Sequence, residues 1–128
     1  MSALRLLEEL AASRMIEADK PRDFHNALSL VVRAYLGARL QLPARRLTTT
    51  ELLAAIAGGR QVDDRVLRQL GDLLPACDLA KFAGYRPTKA EMEARLLTAR
   101  GVVEALGDLA IGLEDEEPAA RPAAGAPA

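Results

Sequence analysis

Few residues of this chain could carry out catalysis, and they stand apart from one another in the sequence. There is one histidine, His25, and one cysteine, Cys77. A histidine that acts as a general base needs a nucleophile and an orienting carboxylate, and no Ser/His/Asp arrangement accompanies His25. Because His25 stands among the polar residues of a helical segment, a surface histidine is favoured over a general base.

Cys77 offers nucleophilic chemistry only if its thiol ionises. It stands in an apolar helical stretch, where free cysteine is usually a small buried hydrophobic residue, and the adjacent Asp78 disfavours the thiolate. A metal site would need more ligands than one histidine and one cysteine, and no Glu-x-x-His pair occurs. The segment Gly58-Gly59-Arg60 lacks the Gly-Lys-Ser/Thr ending of a phosphate-binding loop. We therefore expect no catalytic residue, no metal and no cofactor.

The composition limits the class of protein. The chain has 128 residues, a formal net charge of −1 and 27% charged residues, which suits one soluble domain. No apolar run approaches the ~18 residues that a membrane span needs, and Glu8 and Glu9 interrupt the stretch where a signal peptide would be apolar. We therefore expect a cytoplasmic protein without a membrane span.

The C-terminal residues 114–128 differ from the rest. They begin with Glu-Asp-Glu-Glu and continue with Pro, Ala and Gly, without a large apolar side chain, so we expect a disordered tail after a helical domain of residues 1–113. The tail holds four acids and one arginine, a net −3, which leaves +2 of the total −1 for residues 1–113. A body so close to neutral argues against a dedicated nucleic-acid binder.

The elements that must position any site are helices. Apolar residues recur every three or four positions and no segment alternates with period two, which predicts helices and no strands. Thr48 with Glu51, and Thr88 with Glu91, fit capping boxes at two helix starts. We expect helices over 2–18, 21–41, 48–59, 63–84 (kinked or split at Pro75) and 88–112. Five such helices with short loops predict a compact all-α, antiparallel bundle around one core.

Apolar stripes identify the faces that this bundle buries. In the second helix the stripe is Phe24, Leu28, Val31 and Tyr35. The first helix carries a stripe of Leu4, Leu7, Ala11 and Met15, which we expect to pack on the bundle rather than on a second copy. We therefore expect a monomer or a weak dimer.

Residues 78–83 read Asp-Leu-Ala-Lys-Phe-Ala, a pattern with a packing explanation and no catalytic one. We expect Asp78 to pair with Lys81 along the helix surface, Phe82 to fill the core, and Ala83 to allow close approach. The segment is interpreted as a structural corner of the bundle.

Three short motifs in this order resemble a known family. They are Arg33-Ala34-Tyr35-Leu36, Thr49-Thr50-Glu51-Leu52-Leu53, and the run from Asp78 to Tyr85, which is followed by a helix after Pro87. Phe24 and Leu28 precede them in the same family order. Over about residues 20–106 the chain resembles the cytoplasmic helical domain at the C-terminal end of Bat-type (aerotolerance) membrane proteins. Those proteins are encoded with MoxR-type AAA+ ATPases and von Willebrand factor A domain proteins, so the resemblance implies docking near that system and supplies no catalytic residues.

The family pattern places this domain after a transmembrane helix, which this sequence does not show. Two explanations stay open at this point: a free-standing form of the domain, or a part of a longer membrane protein.

The sequence therefore predicts a non-enzymatic adaptor that binds a protein partner, either the AAA+ ATPase or the von Willebrand factor A protein, with no small-molecule substrate. Two exposed regions are the predicted contact surfaces, namely the polar side of the second helix and the corner near Lys81. Their residues are Arg22, His25, Ser29 and Arg33 on the helix, and Asp78, Lys81, Tyr85 and Arg86 at the corner.

The alternative is a small helical regulatory or nucleic-acid-binding protein. It depends on a group of arginines around the third and fourth helices: Arg45, Arg46, Arg60, Arg65 and Arg68. An aspartate pair, Asp63-Asp64, opens the fourth helix and would face phosphates with the wrong charge, so nucleic acid is the less favoured partner.

Overall fold

The computed structural model describes residues 1–82 and 84–113, and these form a bundle of five α-helices with no named strand in the described ranges. The helices are α1 (Ala3–Ala12), α2 (Pro21–Leu40), α3 (Thr49–Gly59), α4 (Asp64–Leu79) and α5 (Lys89–Leu106), with a 3-10 turn at Ala44–Arg46 between α2 and α3. The predicted all-α class is confirmed. The predicted disordered tail, residues 114–128, lies outside the described residues.

No helix in the described part of the chain is both long enough and apolar enough to cross a membrane.

Both predicted capping boxes are present. The Thr48 hydroxyl accepts from the Glu51 backbone N–H at 3.1 Å, and the Glu51 carboxylate accepts from the Thr48 N–H at 2.9 Å. Thr88 and Glu91 repeat the pattern at 3.0 and 2.7 Å. Each box supplies acceptors for backbone N–H groups that the first helical turn leaves without partners, which fixes the starts of α3 and α5.

Helix α2 is the centre of the bundle, since it packs against α1, α4 and α5. Its predicted stripe is confirmed, because Phe24, Leu28 and Tyr35 are fully buried and Val31 is nearly so. The Tyr35 hydroxyl donates to the Gly107 carbonyl at 2.6 Å, which gives this buried polar group a partner and ties α2 to the end of α5.

Helix α1 is shorter than predicted. It ends at Ala12, where Ser13 caps it and Arg14 takes a left-handed conformation (φ 64°). Ala11 lies inside the helix but is exposed, so it is not part of the core stripe, and Leu10 is buried instead. The start of the helix is held by the segment after α5, where the Ala3 N–H donates to the Leu109 carbonyl at 3.0 Å. The predicted packing of the first helix on the bundle is confirmed.

Two other helix ends differ from the prediction. Helix α4 is not split at Pro75 and continues to Leu79, where it ends five residues early. The carbonyl that the proline leaves without its donor belongs to Gly71, an exposed residue, so it can face solvent. Helix α5 ends at Leu106 instead of residue 112, because Gly107 has a φ of +104° that does not continue a helix.

Candidate functional site

An open cleft of about 570 Å³ lies between α2, the segment before α3, and the C-terminal end of α4. We name it the α2–α4 cleft. It joins the two contact regions that the sequence treated as separate, because one part of its wall comes from α2 and another from the corner after α4. Its lining residues are Asn26, Ser29, Leu30, Arg33, Arg45, Leu47, Thr48, Thr49, Cys77, Asp78 and Lys81.

Arg33 fixes one wall of the cleft. Its Nη1 donates to the backbone carbonyls of Ala44 at 2.7 Å and Leu47 at 2.9 Å, and its Nη2 donates to Thr49 Oγ1 at 2.8 Å. The planar guanidinium therefore holds the whole connection from α2 to α3 in place. Arg33 was predicted as a contact residue and does line the cleft, but its three hydrogen bonds give it the structural role of holding this wall in place.

Thr49 links the Arg33 side chain to α4. Its hydroxyl accepts from Arg33 and donates to Asp78 Oδ2 at 2.5 Å, so one side chain connects three helices. The predicted pairing of Asp78 with Lys81 is wrong. Among the described residues one ion pair is found, between Arg100 and Glu104, and it does not involve Asp78 or Lys81. The Asp78 carboxylate instead accepts a hydrogen bond from the Thr49 hydroxyl, and Lys81 reaches Asp78 through its backbone N–H, which donates to the Asp78 carbonyl at 3.1 Å.

Burial limits the reactivity of the Cys77 thiol, and hydrogen bonding holds the Asp78 carboxylate in place. Cys77 is 2% exposed, and burial raises the pKa of its thiol to about 12, so it is protonated at neutral pH. Asp78 Oδ2 accepts a hydrogen bond from the Thr49 hydroxyl. Within residues 1–82 and 84–113, no three His, Cys, Asp or Glu side chains are grouped in a way that could hold a metal ion.

The cleft is cationic on balance. Three of its lining residues, Arg33, Arg45 and Lys81, carry positive charge, against the single acid Asp78. Arg45 is half-buried, and its Nη2 donates to the backbone carbonyl of Leu113 at 2.9 Å. This bond brings the end of the described chain to the cleft wall.

The prediction that His25 is a surface residue is wrong. It is completely buried, with its ring 5.1 Å from the Phe24 ring and 6.3 Å from the Tyr85 ring between centroids. Its Nδ1 lies 2.6 Å from the Pro21 carbonyl, and its Nε2 lies 3.0 Å from Nη1 of Arg95. The polar side of α2 is covered here by the corner and by α5, which the sequence of α2 alone does not reveal.

The protonation state of His25 follows from its partners. A carbonyl only accepts and a guanidinium only donates, so the neutral ring carries its proton on Nδ1 and accepts from Arg95 at Nε2. Burial lowers the pKa of His25, the bond to Pro21 raises it, and the Arg95 charge lowers it, with a net shift below the ordinary 6.5. His25 therefore supports the corner as a neutral structural residue and is not an exposed contact.

The prediction that Phe82 fills the core is also wrong. Its side chain is 65% exposed, and the neighbouring Leu79 is 48% exposed. After Leu79 the chain follows turns, in which the Phe82 N–H donates to the Leu79 carbonyl at 3.0 Å and the Tyr85 N–H donates to the Phe82 carbonyl at 3.1 Å. Because the helix has ended, the helical spacing that placed Phe82 on the core side no longer applies.

The remaining predicted residues surround the cleft. Ser29 and Lys81 line it, and Arg22 reaches its edge, where Nη2 donates to the Lys81 carbonyl at 3.4 Å. Tyr85 is half-buried under the Arg95 guanidinium, whose carbon is 5.7 Å from the ring centroid, and Arg86 is exposed. The sequence did not identify Thr49 as a site residue, since it was placed only in the capping segment and in the family motif Thr49-Thr50-Glu51-Leu52-Leu53.

Of the arginines behind the nucleic-acid alternative, Arg45 lies in the cleft wall, whereas the others are exposed. The exposed group is Arg46, Arg60, Arg65 and Arg68.

No protein-family model, no curated protein and no solved structure matches this chain. The resemblance to the Bat-type domain therefore stays a prediction from its motifs, and the functional argument depends on the cleft.

Proposed function

We propose that this chain is a non-enzymatic, cytoplasmic adaptor that docks a partner protein on the α2–α4 cleft and on the side chain of Phe82. The observation that carries the proposal is the exposure of Phe82, which is 65% exposed and directly follows the cleft-lining Lys81. A large aromatic side chain exposed next to a concave polar surface is the arrangement in which interface anchors are found.

The rigidity of the cleft supports this proposal. Arg33, Thr49 and Asp78 form a continuous set of hydrogen bonds across α2, α3 and α4, and the capping box at Thr48 fixes the adjoining helix start. A surface already held in one arrangement loses little conformational entropy when a partner binds.

The polar groups of the cleft support binding more than catalysis. Cys77 is buried with a pKa of about 12, and Asp78 Oδ2 accepts the Thr49 hydroxyl as part of the hydrogen bonds that hold the cleft wall. By contrast, the side chains of Asn26, Ser29 and Lys81 make no hydrogen bond with any described residue, so their donors can serve a partner. Leu30, at 36% exposure, adds apolar surface to the same wall.

The motif resemblance names the candidate partners, a MoxR-type AAA+ ATPase or a von Willebrand factor A protein. The acidic start of α4, where Asp63 caps the helix and Asp64 occupies its first turn, favours a protein partner over nucleic acid.

A binding assay with the purified ATPase and the purified von Willebrand factor A protein tests the proposal. We expect Phe82→Ala to weaken capture of one of them by at least ~10-fold, as the truncation of a hot-spot aromatic does. The matched control is Leu97→Ala, since Leu97 is 68% exposed on α5 and outside the cleft lining. Equal capture by the wild type and by Phe82→Ala, or an equal loss with Leu97→Ala, would contradict the proposed docking surface.

A charge reversal gives a second pair of variants. Lys81→Glu inverts the exposed cation of the cleft, whereas Lys89→Glu makes the same change at an exposed residue outside the cleft lining. We expect only Lys81→Glu to reduce capture.

A further inference from the structure

We propose that the α2–α4 cleft is an acidic-peptide site whose occupant in the isolated protein is the chain's own run Glu114-Asp115-Glu116-Glu117. This proposal goes beyond partner docking and does not depend on it, because both the site and the occupant belong to the same chain.

The first argument is where the described chain ends. The Leu113 carbonyl accepts a hydrogen bond of 2.9 Å from Nη2 of Arg45, a lining residue of the cleft. The Leu113 side chain is half-buried and packs against the core, so this end of the chain is held in place. The next residue is Glu114. Four extended residues span at most about 14 Å, so all four acids are confined to the neighbourhood of Arg45.

The second argument is charge. The cleft presents Arg33, Arg45 and Lys81 against the single acid Asp78, a formal excess of two positive charges. The run 114–117 carries four carboxylates and follows directly after Leu113 in the sequence. Opposite charges within a few ångströms attract each other at the partly desolvated surface of a cleft more strongly than in bulk water.

The third argument is the match of donors to acceptors. Carboxylates only accept hydrogen bonds, and the cleft offers donors at Asn26, Ser29 and Lys81 that no described residue uses. A tethered segment reaches such donors at an effective concentration in the millimolar range. A weak site is therefore enough for the run to occupy the cleft much of the time.

Occupation by the run has a functional consequence. An acidic segment in the cleft covers Lys81, so a partner that docks there must displace it. We therefore expect neutralisation of the run to strengthen partner capture while leaving the fold unchanged.

Paramagnetic relaxation measured by NMR on the full chain tests the proposal without any partner. A spin label is attached to a cysteine introduced by Ala119→Cys. The native Cys77 is buried, with a pKa of about 12, and does not compete for the reagent. We expect broadening of the backbone amides of Asn26, Ser29 and Lys81, while the amide of Leu97, outside the cleft lining, serves as the control.

Two further conditions establish the charge dependence. We expect the broadening at these cleft amides to decrease when Glu114→Gln, Asp115→Asn, Glu116→Gln and Glu117→Gln are combined, because the uncharged run is then kept near the cleft only by its attachment at Leu113. We also expect it to decrease at about 1 M salt, where the Debye length falls to about 3 Å. Absence of broadening at the cleft, or equal broadening in the neutralised variant, would overturn the proposal.

A mixing experiment distinguishes the chain's own tail from that of a second copy. Spin-labelled protein without isotope is mixed with isotope-labelled protein without spin label. Broadening at Lys81 in this mixture, equal to that in the doubly labelled chain, would mean that a second copy supplies the acidic run and would refute the intramolecular site. Because no partner is present, failure here leaves the adaptor function to be decided by the capture assay.

Discussion

Replacing Thr49 with valine removes one hydroxyl and preserves the shape of the side chain. In the folded protein that hydroxyl accepts from Arg33 Nη2 at 2.8 Å and donates to Asp78 Oδ2 at 2.5 Å. The substitution therefore deprives two charged groups of a partner at the point where α2, α3 and α4 meet.

The size of the effect follows from these two bonds. A hydrogen bond to a charged group contributes about 1.5–3 kcal/mol, and Thr49 is half-buried, so water can replace part of what is lost. We expect Thr49→Val to lower the free energy of unfolding by about 2–3 kcal/mol. At about 4 °C per kcal/mol for a domain of this size, the melting temperature falls by about 10 °C.

The chain supplies a close control in Thr50→Val. Thr50 is the next residue of α3 and is exposed, so the same chemical change there removes no hydrogen bond between helices. Thermal and urea unfolding followed by circular dichroism measures both variants. Equal stability of Thr49→Val and Thr50→Val would refute the structural role assigned to the Arg33–Thr49–Asp78 connection.

Three other outcomes follow from the structure. Phe82→Ala should change the free energy of unfolding by less than about 0.5 kcal/mol because the side chain is 65% exposed, and a loss of about 3–5 kcal/mol in a urea melt would place Phe82 in the core instead. Thr88→Ala should destabilise by about 1 kcal/mol through loss of the cap of α5, and an unchanged melting temperature would contradict that cap. Because the pKa of His25 is lowered in the fold, the unfolded chain binds its proton first, so stability present above pH 6.5 should fall as the pH drops from 6.5 towards the folded pKa. Urea unfolding at several pH values should show this fall in the wild type relative to His25→Gln, and parallel profiles of the two proteins would refute it.

The parts of the fold that the sequence predicts are those determined locally. The two capping boxes depend on residues three apart, and the buried stripe of α2 depends on helical spacing. Both signals are present in one stretch of chain, so Thr48, Thr88 and Phe24 are predicted correctly without knowledge of any neighbouring helix.

The errors arise where a distant element or a helix end decides the outcome. His25 is buried because the corner and α5 cover a polar side of α2, with Arg95 seventy positions away supplying its partner. Phe82 is exposed because α4 ends at Leu79, after which helical periodicity gives no information. Neither fact can be obtained from residue spacing.

The candidate site was predicted in part. Ser29, Arg33, Asp78 and Lys81 were predicted as members of two surfaces, and the fold brings all four to one cleft. The role of Thr49 was missed, because joining Arg33 to Asp78 requires three helices to meet.

The central claim, that a partner protein docks on the α2–α4 cleft, is tested most directly by mapping the contact on the isotope-labelled chain. Unlabelled ATPase or von Willebrand factor A protein is titrated in, and backbone amide shifts are followed by NMR. We expect one of the two to shift or broaden the amides of Asn26, Ser29, Lys81 and Phe82. No change with either protein, or changes confined to the exposed residues Arg46, Arg60, Arg65 and Arg68, would contradict the account.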